Sequence, residues 1–308
     1  LADTTSLNKY FEAMNAQGKG LEQHEILKVQ LMRGEKEQDY LTHIWNLTSM
    51  MDHPIIAKEE NQDEACYRQF YEEAISLCRK KLFHEVLEKC RYTSLDDEEE
   101  YSIDVIQPEK IEFKQNSYED GENSIISFPE FLLLVLDVCT GGEQPASHYQ
   151  PDKLIEKFDA LKTHFTAGEF YEKMLYYRLL LDYYTIRRDI KDGQGNYSLI
   201  LKGPKDDNDK LKQYQSMLYV STEAFYNWLK PYLRKLEQDE LQSCAEMLAF
   251  LKKEDNERHG VLPARKDLSY KASGNIRYWF WRLDYYLWEQ RSTFFNEEEQ
   301  KIVEHLSL

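Results

Sequence analysis

Arginine, lysine and aromatic side chains are interleaved in one stretch near the end of the chain, and this combination is suited to binding a nucleic-acid strand. The stretch, ERHGVLPARKDLSYKASGNIRYWFWRLDYY, covers residues 257–286. Cations neutralise phosphates, and aromatic rings stack on exposed bases. An ordinary loop followed by a core helix is the alternative interpretation. The candidate DNA-contact residues are Arg258, Arg265, Lys266, Lys271, Arg277 and Arg282.

Two other patterns suggest nucleic-acid chemistry and also have simpler explanations. RKKLFH, residues 79–84, matches the Arg-x4-His pattern of HEPN-type ribonucleases, in which Arg79 would stabilise charge and His84 would act as acid or base. A chance match in a charged helix is the alternative. In the tyrosine-rich stretch 169–189, rings beside Arg178, Arg187 and Arg188 could stack on bases, although rings at helical spacing usually pack in a core.

Metal and covalent chemistry find less support in the sequence. QHEIL at 23–27 is not the zinc motif His-Glu-x-x-His, because Lys28 stands where the second histidine would be. The five cysteines are Cys66, Cys78, Cys90, Cys139 and Cys244, without a Cys-x-x-Cys pair. We predict buried reduced thiols, with the first three on one long helix because they recur every twelve residues. The chain offers no residue set for catalysis or for a metal, so we predict none.

Composition limits the partners of the protein. The 308 residues carry a formal charge of −17, which repels polyanions at long range. A DNA site would therefore be a local basic patch. The longest apolar run, residues 131–136, is too short to span a bilayer. We therefore predict a cytoplasmic protein without a membrane partner.

Helical elements must position these residues, because apolar side chains recur at helical spacing and glycine is rare, with 12 in the chain. The sequence predicts an all-α, mainly helical array, with one short β-hairpin possible at 101–115 or at 197–201. We expect an acidic loop at 91–123, a loop at 189–209 and a basic loop at 254–273. Pro231 is expected to kink or split its helix.

The opening of the chain resembles one family in particular. YFEAMNAQGKGLEQHEILKVQLM, residues 10–32, is similar to the segment that closes the N-terminal domain of GmrSD-type restriction endonucleases, which cut modified DNA. Residues matching its helix-loop-helix motif are Asn15, Gly18, Leu21, Glu25, Ile26 and Lys28, while Gln17 replaces a frequent arginine. Blocks at 124–138, 151–158, 179–189, 214–221 and 276–289 resemble later parts of the family in the same order.

The resemblance implies that other domains of the same protein carry the nucleotide-handling and nuclease functions. In the family, a ParB/sulfiredoxin-like domain with an Asp-Gly-Gln-Gln-Arg motif precedes this region, and an HNH-type nuclease often follows. This chain contains neither that motif nor the Glu-His-x-x-Pro-Gln motif of the nuclease. We therefore expect residues 1–34 to close a truncated N-terminal domain, and 35–308 to form a helical domain.

The function implied is that of a non-catalytic helical region of an antiphage restriction protein. It would connect a nucleotide-handling domain to a nuclease domain of the same protein and contact DNA. No cofactor is expected in the chain itself, whereas the whole protein would use a nucleoside triphosphate and a divalent metal. The alternatives are a helical protein-interaction scaffold without a nucleic-acid role and a HEPN-like ribonuclease.

Overall fold

The computed structural model describes residues 22–56, 63–91, 121–191, 196–204, 208–264, 267–268 and 276–305. Contacts divide the chain into two compact units. Unit 1 comprises Leu1–Ser49 and Phe128–Met174, and unit 2 comprises Met50–Ser127 and Leu175–Leu308. The described part of 1–34, residues 22–34, thus falls in unit 1 together with later helices. The predicted mainly helical fold is confirmed, with one small antiparallel sheet in the described part.

Unit 1 is built around a helix that is apolar on every side. Its helices are α1 (Gln23–Met32), α2 (Gln38–Ser49), α5 (Phe128–Cys139), α6 (Leu154–Leu161) and the first part of α7 (Ala167–Tyr184). Residues 131–136 of α5 are all fully buried, as expected for a helix without a polar face. Trp45 of α2 packs edge-on against Phe128, with ring centroids 5.2 Å apart, and lies 5.8 Å from Tyr171.

Unit 2 contains the remaining helices. These are α3 (Glu64–Arg79), α4 (Phe83–Arg91), the second part of α7, α8 (Asp209–Val220), α9 (Phe225–Glu237), α10 (Cys244–His259), α11 (Ile276–Glu289), α12 (Arg291–Phe294) and α13 (Glu297–His305). Asn296 caps α13 as its sequence indicates, because its Oδ1 accepts from the amides of Glu298 and Glu299 at 3.1 and 3.0 Å.

The single long helix predicted from the cysteine spacing is wrong, because the chain breaks between α3 and α4. Lys81 has a left-handed φ of 60°, and its amide and that of Leu82 bond back to Cys78 and Leu77. Such bonds satisfy carbonyls that a helix end leaves without partners. Cys78 and Cys90 are buried as predicted, whereas Cys66 is exposed, which contradicts its prediction.

The sheet has three short strands in the order β1 (Gly121–Ser124), β2 (Arg187–Ile190) and β3 (Tyr197–Ile200). Both pairs are antiparallel, with Ser124 opposite Arg187 and Arg187 opposite Ile200. Residues 197–201 therefore contain one strand, which pairs with β2, rather than a whole hairpin. Residues 101–115 lie outside the described residues. The predicted loops at 91–123 and 189–209 are too long, since strands occupy 121–123, 189–190 and 197–200.

The split that was one alternative for the helix of Pro231 is absent, and the loop predicted at the end of α10 is wrong. Pro231 lies inside α9 without splitting it. Helix α10 continues to His259, so residues 254–259 are helical rather than part of a basic loop. Its start is fixed by a capping box between Ser243 and Glu246, and it ends at Gly260, whose φ is 82°.

Candidate functional site

Arg258, a predicted DNA contact, is bonded within unit 2. It lies in the last turn of α10, where its guanidinium donates to the carbonyl of Asn227 and lies 3.5 Å from Glu223 Oε1. His259 Nε2 lies 3.1 Å from the other carboxylate oxygen of Glu223. Arg258 and His259 therefore tie the end of α10 to the segment around the start of α9.

Arg282, another predicted contact, belongs to a buried polar cluster. Its Nη1 donates to the carbonyl of Gly260 and to the hydroxyl of Tyr278, both at 2.8 Å, and lies 3.6 Å from Asp255 Oδ2. The same Asp255 oxygen accepts hydrogen bonds from Tyr214 at 2.6 Å and Tyr278 at 2.7 Å. We call Tyr214, Asp255, Tyr278 and Arg282 the Asp255 cluster. It joins α8, α10 and α11.

The electrostatics of the Asp255 cluster favour a structural role. Asp255 is 1% exposed, and burial followed by the negative charge of Asp255 raises the pKa of both Tyr214 and Tyr278. These phenols therefore stay protonated and donate hydrogen bonds at physiological pH. A tyrosine that serves as a base or nucleophile would need the opposite shift.

Glu223 is held ionised by its neighbours. Burial alone would raise its pKa, but hydrogen bonds from His259 and Asn227, with the charges of His259 and Arg258, hold the pKa below its ordinary value. Asn227 Nδ2 donates to Glu223 Oε1 at 2.8 Å. Glu223 and Asp255 are the partners that the sequence did not indicate, since each lies more than 20 residues from one of the groups it binds.

Arg277 differs from Arg258 and Arg282. It lies in the first turn of α11 and is exposed. Arg265, Lys266 and Lys271 lie outside the described residues. Among the three predicted DNA contacts that are described, the structure therefore brings Arg258 and Arg282 into internal contacts and leaves Arg277 at the surface.

The tyrosine-rich stretch forms core rather than a base-stacking platform. Tyr171, Tyr177 and Tyr183 are fully buried, and α7 ends at Tyr184. Asp182 binds two arginines: Arg178 Nε donates to its Oδ1 at 2.9 Å, and Arg187 Nη1 donates to the same oxygen. The core interpretation is confirmed for these rings, and both guanidiniums are at most 1% exposed.

We call Arg178, Asp182 and Arg187 the Asp182 network. Asp182 Oδ2 also accepts from the amide of Ile55 at 2.6 Å, and Arg178 Nη2 donates to the carbonyls of Met50 and His53 at 2.9 and 2.5 Å. Arg187 donates to the carbonyl of Glu122 in β1. The network thus fixes residues 50–55 and the sheet to α7.

The Arg-x4-His pair is divided between two helices. Arg79 ends α3, where its Nη2 lies 2.7 Å from Asp239 Oδ1 and its Nε donates to the hydroxyl of Tyr176 at 3.3 Å. His84 lies on the exposed side of α4. The guanidinium of Arg79 therefore joins α3 to the segments that carry Tyr176 and Asp239.

A charged cleft of about 520 Å³ lies beside the sheet. Its charges are largely paired, because Lys202 lies 2.6 Å from Glu122, Lys191 lies 2.8 Å from Asp189 and Arg68 lies 3.9 Å from Glu64. Opposite charges in equal number neutralise each other, so the cleft does not select strongly for an anion or a cation.

The residues that carry the family resemblance are only partly described. Glu25 accepts from the amide of Glu22 at 2.9 Å at the start of α1, and Lys28 donates to Asn46 Oδ1 at 2.9 Å. Asn15, Gly18 and Leu21 lie outside the described residues. The side chains of Glu25 and Lys28 thus stabilise unit 1 locally, and Ile26 lies beside them in α1.

Neither a metal centre nor a membrane span is found in the described part of the chain. The described residues contain no group of three or more His, Cys, Asp or Glu side chains placed to hold a metal ion. None of the helices in the described part combines the length and apolar character needed to cross a bilayer. No protein-family model, curated protein or solved structure matches the chain.

Proposed function

We propose that this chain is the helical region of a GmrSD-like DNA restriction protein that acts in antiphage defence. In this role it connects a nucleotide-handling domain to a nuclease domain, both in the same protein, and it does not carry the catalytic residues itself. The observation that supports a connecting role is that α1 is firmly packed in unit 1. Helix α1 belongs to the stretch that resembles the end of the family's N-terminal domain.

Helix α1 is held by unit 1 through both polar and apolar contacts. The side-chain amide of Gln23 donates to the carbonyl of Asp152, just before α6, and accepts from the amide of Ile155 at 3.2 Å, in the first turn of α6. Leu27 is fully buried, and His24 packs edge-on against Phe128 with centroids 5.5 Å apart. An N-terminal domain that ends with α1 would therefore be attached to a packed helix. A packed helix transmits movement better than a flexible linker does.

The proposal is tested with the full-length protein encoded by the gene, both in cells and after purification. We expect the protein to reduce phage plating and to cleave modified duplex DNA in a nucleotide-dependent manner. Gln23→Ala should weaken the stimulation of cleavage by nucleotide, because it removes both hydrogen bonds from Gln23 to Asp152 and Ile155. Gln69→Ala, which alters an exposed side chain bonded to Glu73 within α3, is the matched control.

A protein that neither restricts phage nor cleaves any modified duplex contradicts the proposal. Equal nucleotide stimulation in the parent and Gln23→Ala proteins contradicts the connecting role alone. Loss of RNA cleavage on His84→Ala would instead support the HEPN-like alternative.

A protein-interaction scaffold is the second candidate, and one observation favours it. Unit 2 exposes large apolar side chains on and around its last helices, namely Val261, Leu262, Leu268, Phe280, Leu283, Tyr286, Phe294 and Ile302. Exposed apolar patches of this kind frequently mark sites of protein association.

A further inference from the structure

The outward side of α11 carries a row of apolar side chains at coiled-coil spacing. Ile276, Phe280, Leu283 and Leu287 follow one another at intervals of four, three and four residues. This is the spacing of the apolar positions in a heptad repeat. Phe280 is 54% exposed and Leu283 is 50% exposed, while Ile276 and Leu287 are partly exposed. We call these four residues the outer seam.

The outer seam is separate from the face by which α11 joins unit 2. Tyr278, Tyr285 and Trp288 lie on the other side of the helix and are buried. The ring of Tyr285 packs edge-on against that of Tyr214 in α8, with centroids 4.9 Å apart. Helix α11 is therefore apolar on two sides, which is typical of a helix with packing partners on both.

Two opposite charges flank the outer seam. Arg277 and Asp284 are seven residues apart, so they project from the same side of the helix about 10 Å from each other. Both are exposed, and neither forms a hydrogen bond or ion pair with another described residue. Burial raises the pKa of Asp284, which means that nearby protein atoms already remove part of the water around its carboxylate.

The outer seam reads almost the same in both directions along the helix. Reversing α11 exchanges Ile276 with Leu287 and Phe280 with Leu283. In an antiparallel pair of helices, apolar seam positions face each other and the flanking positions of the two copies come together. Arg277 of one copy would then lie close to Asp284 of the other, twice in each pair. A surface that is complementary to itself in shape and charge favours a twofold symmetric contact.

We propose that the outer seam of α11 binds the same seam of a second copy of this chain, forming an antiparallel helix pair. The contact involves about twelve residues of each copy and is smaller than the standard interface of about 1,600 Å². The association is therefore weak, with a dissociation constant in the micromolar range. The charge of −17 on each copy also opposes association, and salt screens this repulsion. The inference does not depend on the proposed DNA-restriction role.

Sedimentation equilibrium of the whole chain tests the proposal, at protein concentrations from about 1 to 200 µM that bracket the expected constant. Salt at about 0.15 M limits long-range repulsion to about 8 Å. We expect the average mass to rise with concentration from 36.8 kDa towards twice that value. The double variant Phe280→Glu, Leu283→Glu should remain monomeric. Leu262→Glu, at an even more exposed apolar side chain outside α11, should associate like the parent chain.

A charge exchange distinguishes this geometry from nonspecific apolar association. Arg277→Asp alone places like charges together twice in each pair and should weaken association about tenfold or more. Combining it with Asp284→Arg restores opposite charges and should restore association. Circular dichroism checks that each variant keeps its helix content. A parent chain that stays monomeric at every concentration overturns the proposal, as does a charge exchange that restores nothing.

Discussion

At the scale of single residues, buried carboxylates decide what the cations of this chain can do. Arg258 and Arg282 lie in the most basic stretch of the sequence, yet Glu223 and Asp255 engage them inside unit 2. A guanidinium that already bonds to a buried carboxylate and to backbone carbonyls cannot move to a phosphate without leaving those acceptors unpaired. Arg277 is the described member of the stretch that remains available for an intermolecular contact.

Tyr214→Phe should destabilise unit 2, because it removes one of the two tyrosine hydrogen bonds to Asp255. Loss of a hydrogen bond to a buried charged group costs about 1.5–3 kcal/mol in the free energy of unfolding. Urea unfolding followed by tryptophan fluorescence measures the change. Tyr286→Phe removes the same atom from an exposed ring and should change stability by less than about 0.5 kcal/mol. Equal effects of the two substitutions would show that the hydrogen bond from Tyr214 to Asp255 does not add to the free energy of unfolding.

Glu223 should make stability depend on pH in the acidic range. Its pKa is lower in the folded chain than in the unfolded chain, so its contribution is fully present above its ordinary pKa of about 4.3. The contribution disappears as pH falls through the lower folded pKa. Glu223→Gln should therefore have a lower urea midpoint than the parent at pH 7. The difference between the two midpoints should shrink as the pH is lowered below about 4.

The matched control for Glu223 is Glu257→Gln, which changes an exposed carboxylate on α10 that lies 3.7 Å from Lys253. Exposed ion pairs contribute little, so this variant should follow the parent midpoint closely across the whole pH range. A pH-independent difference between parent and Glu223→Gln would contradict the lowered pKa.

At the scale of elements, helix ends are set by local chemistry that apolar periodicity does not report. Helical spacing locates most helices of the array correctly. It misses the break between α3 and α4, because Lys81 adopts a left-handed conformation that its residue type does not indicate. It also ends α10 too early, since the charged residues 254–259 suggest a loop although Gly260 is the actual stop.

Gly260 and Gly168 should respond oppositely to alanine. Gly260 ends α10 with a φ of 82°, so Gly260→Ala introduces backbone strain and should lower the melting temperature. Gly168 lies in the first turn of α7 with open space around the position of a Cβ atom, so Gly168→Ala should raise the melting temperature slightly. The gain at Gly168 should be about 0.4–1 kcal/mol in the free energy of unfolding. The loss at Gly260 should be larger, about 1–3 kcal/mol. Thermal circular dichroism measures both changes. A stabilising Gly260→Ala would contradict the assigned helix end.

At the scale of the whole molecule, the charge of −17 determines how DNA binding must behave. Any affinity has to come from a local patch, so it should fall steeply with salt. Filter binding with modified and plain duplexes at several salt concentrations measures this dependence. Changing Arg265, Lys266 and Arg277 together to Ala should reduce affinity and lower the salt slope by about 0.9 for each phosphate that is no longer neutralised.

Lys162→Ala is the control for the DNA measurement, because it removes an exposed cation from unit 1. It should leave both affinity and salt slope unchanged. Parent-like affinity of the triple variant would exclude the patch as a DNA-binding surface.

The fold class can be predicted from the sequence, because it depends on local periodicity. The candidate site cannot, because it depends on contacts between distant residues. Composition and spacing are sufficient to predict a helical array and a strand near Tyr197. They cannot predict that Asp255 binds Tyr214 and Tyr278, since those hydrogen bonds join positions 41 and 23 residues away. The roles of Arg178 and Arg187 likewise depend on Asp182, and the type of a charged residue does not indicate whether it will be buried.

The Asp182 network also has a consequence for local opening of unit 2. One carboxylate holds Arg178, Arg187 and the amide of Ile55, and the two guanidiniums in turn hold the carbonyls of Met50, His53 and Glu122. Exposing any one of these groups would leave unpaired charges in an apolar interior. The amide hydrogens of residues 55 and 121–124 should therefore exchange with deuterium at a common slow rate, as one cooperative group rather than as independent strands and turns.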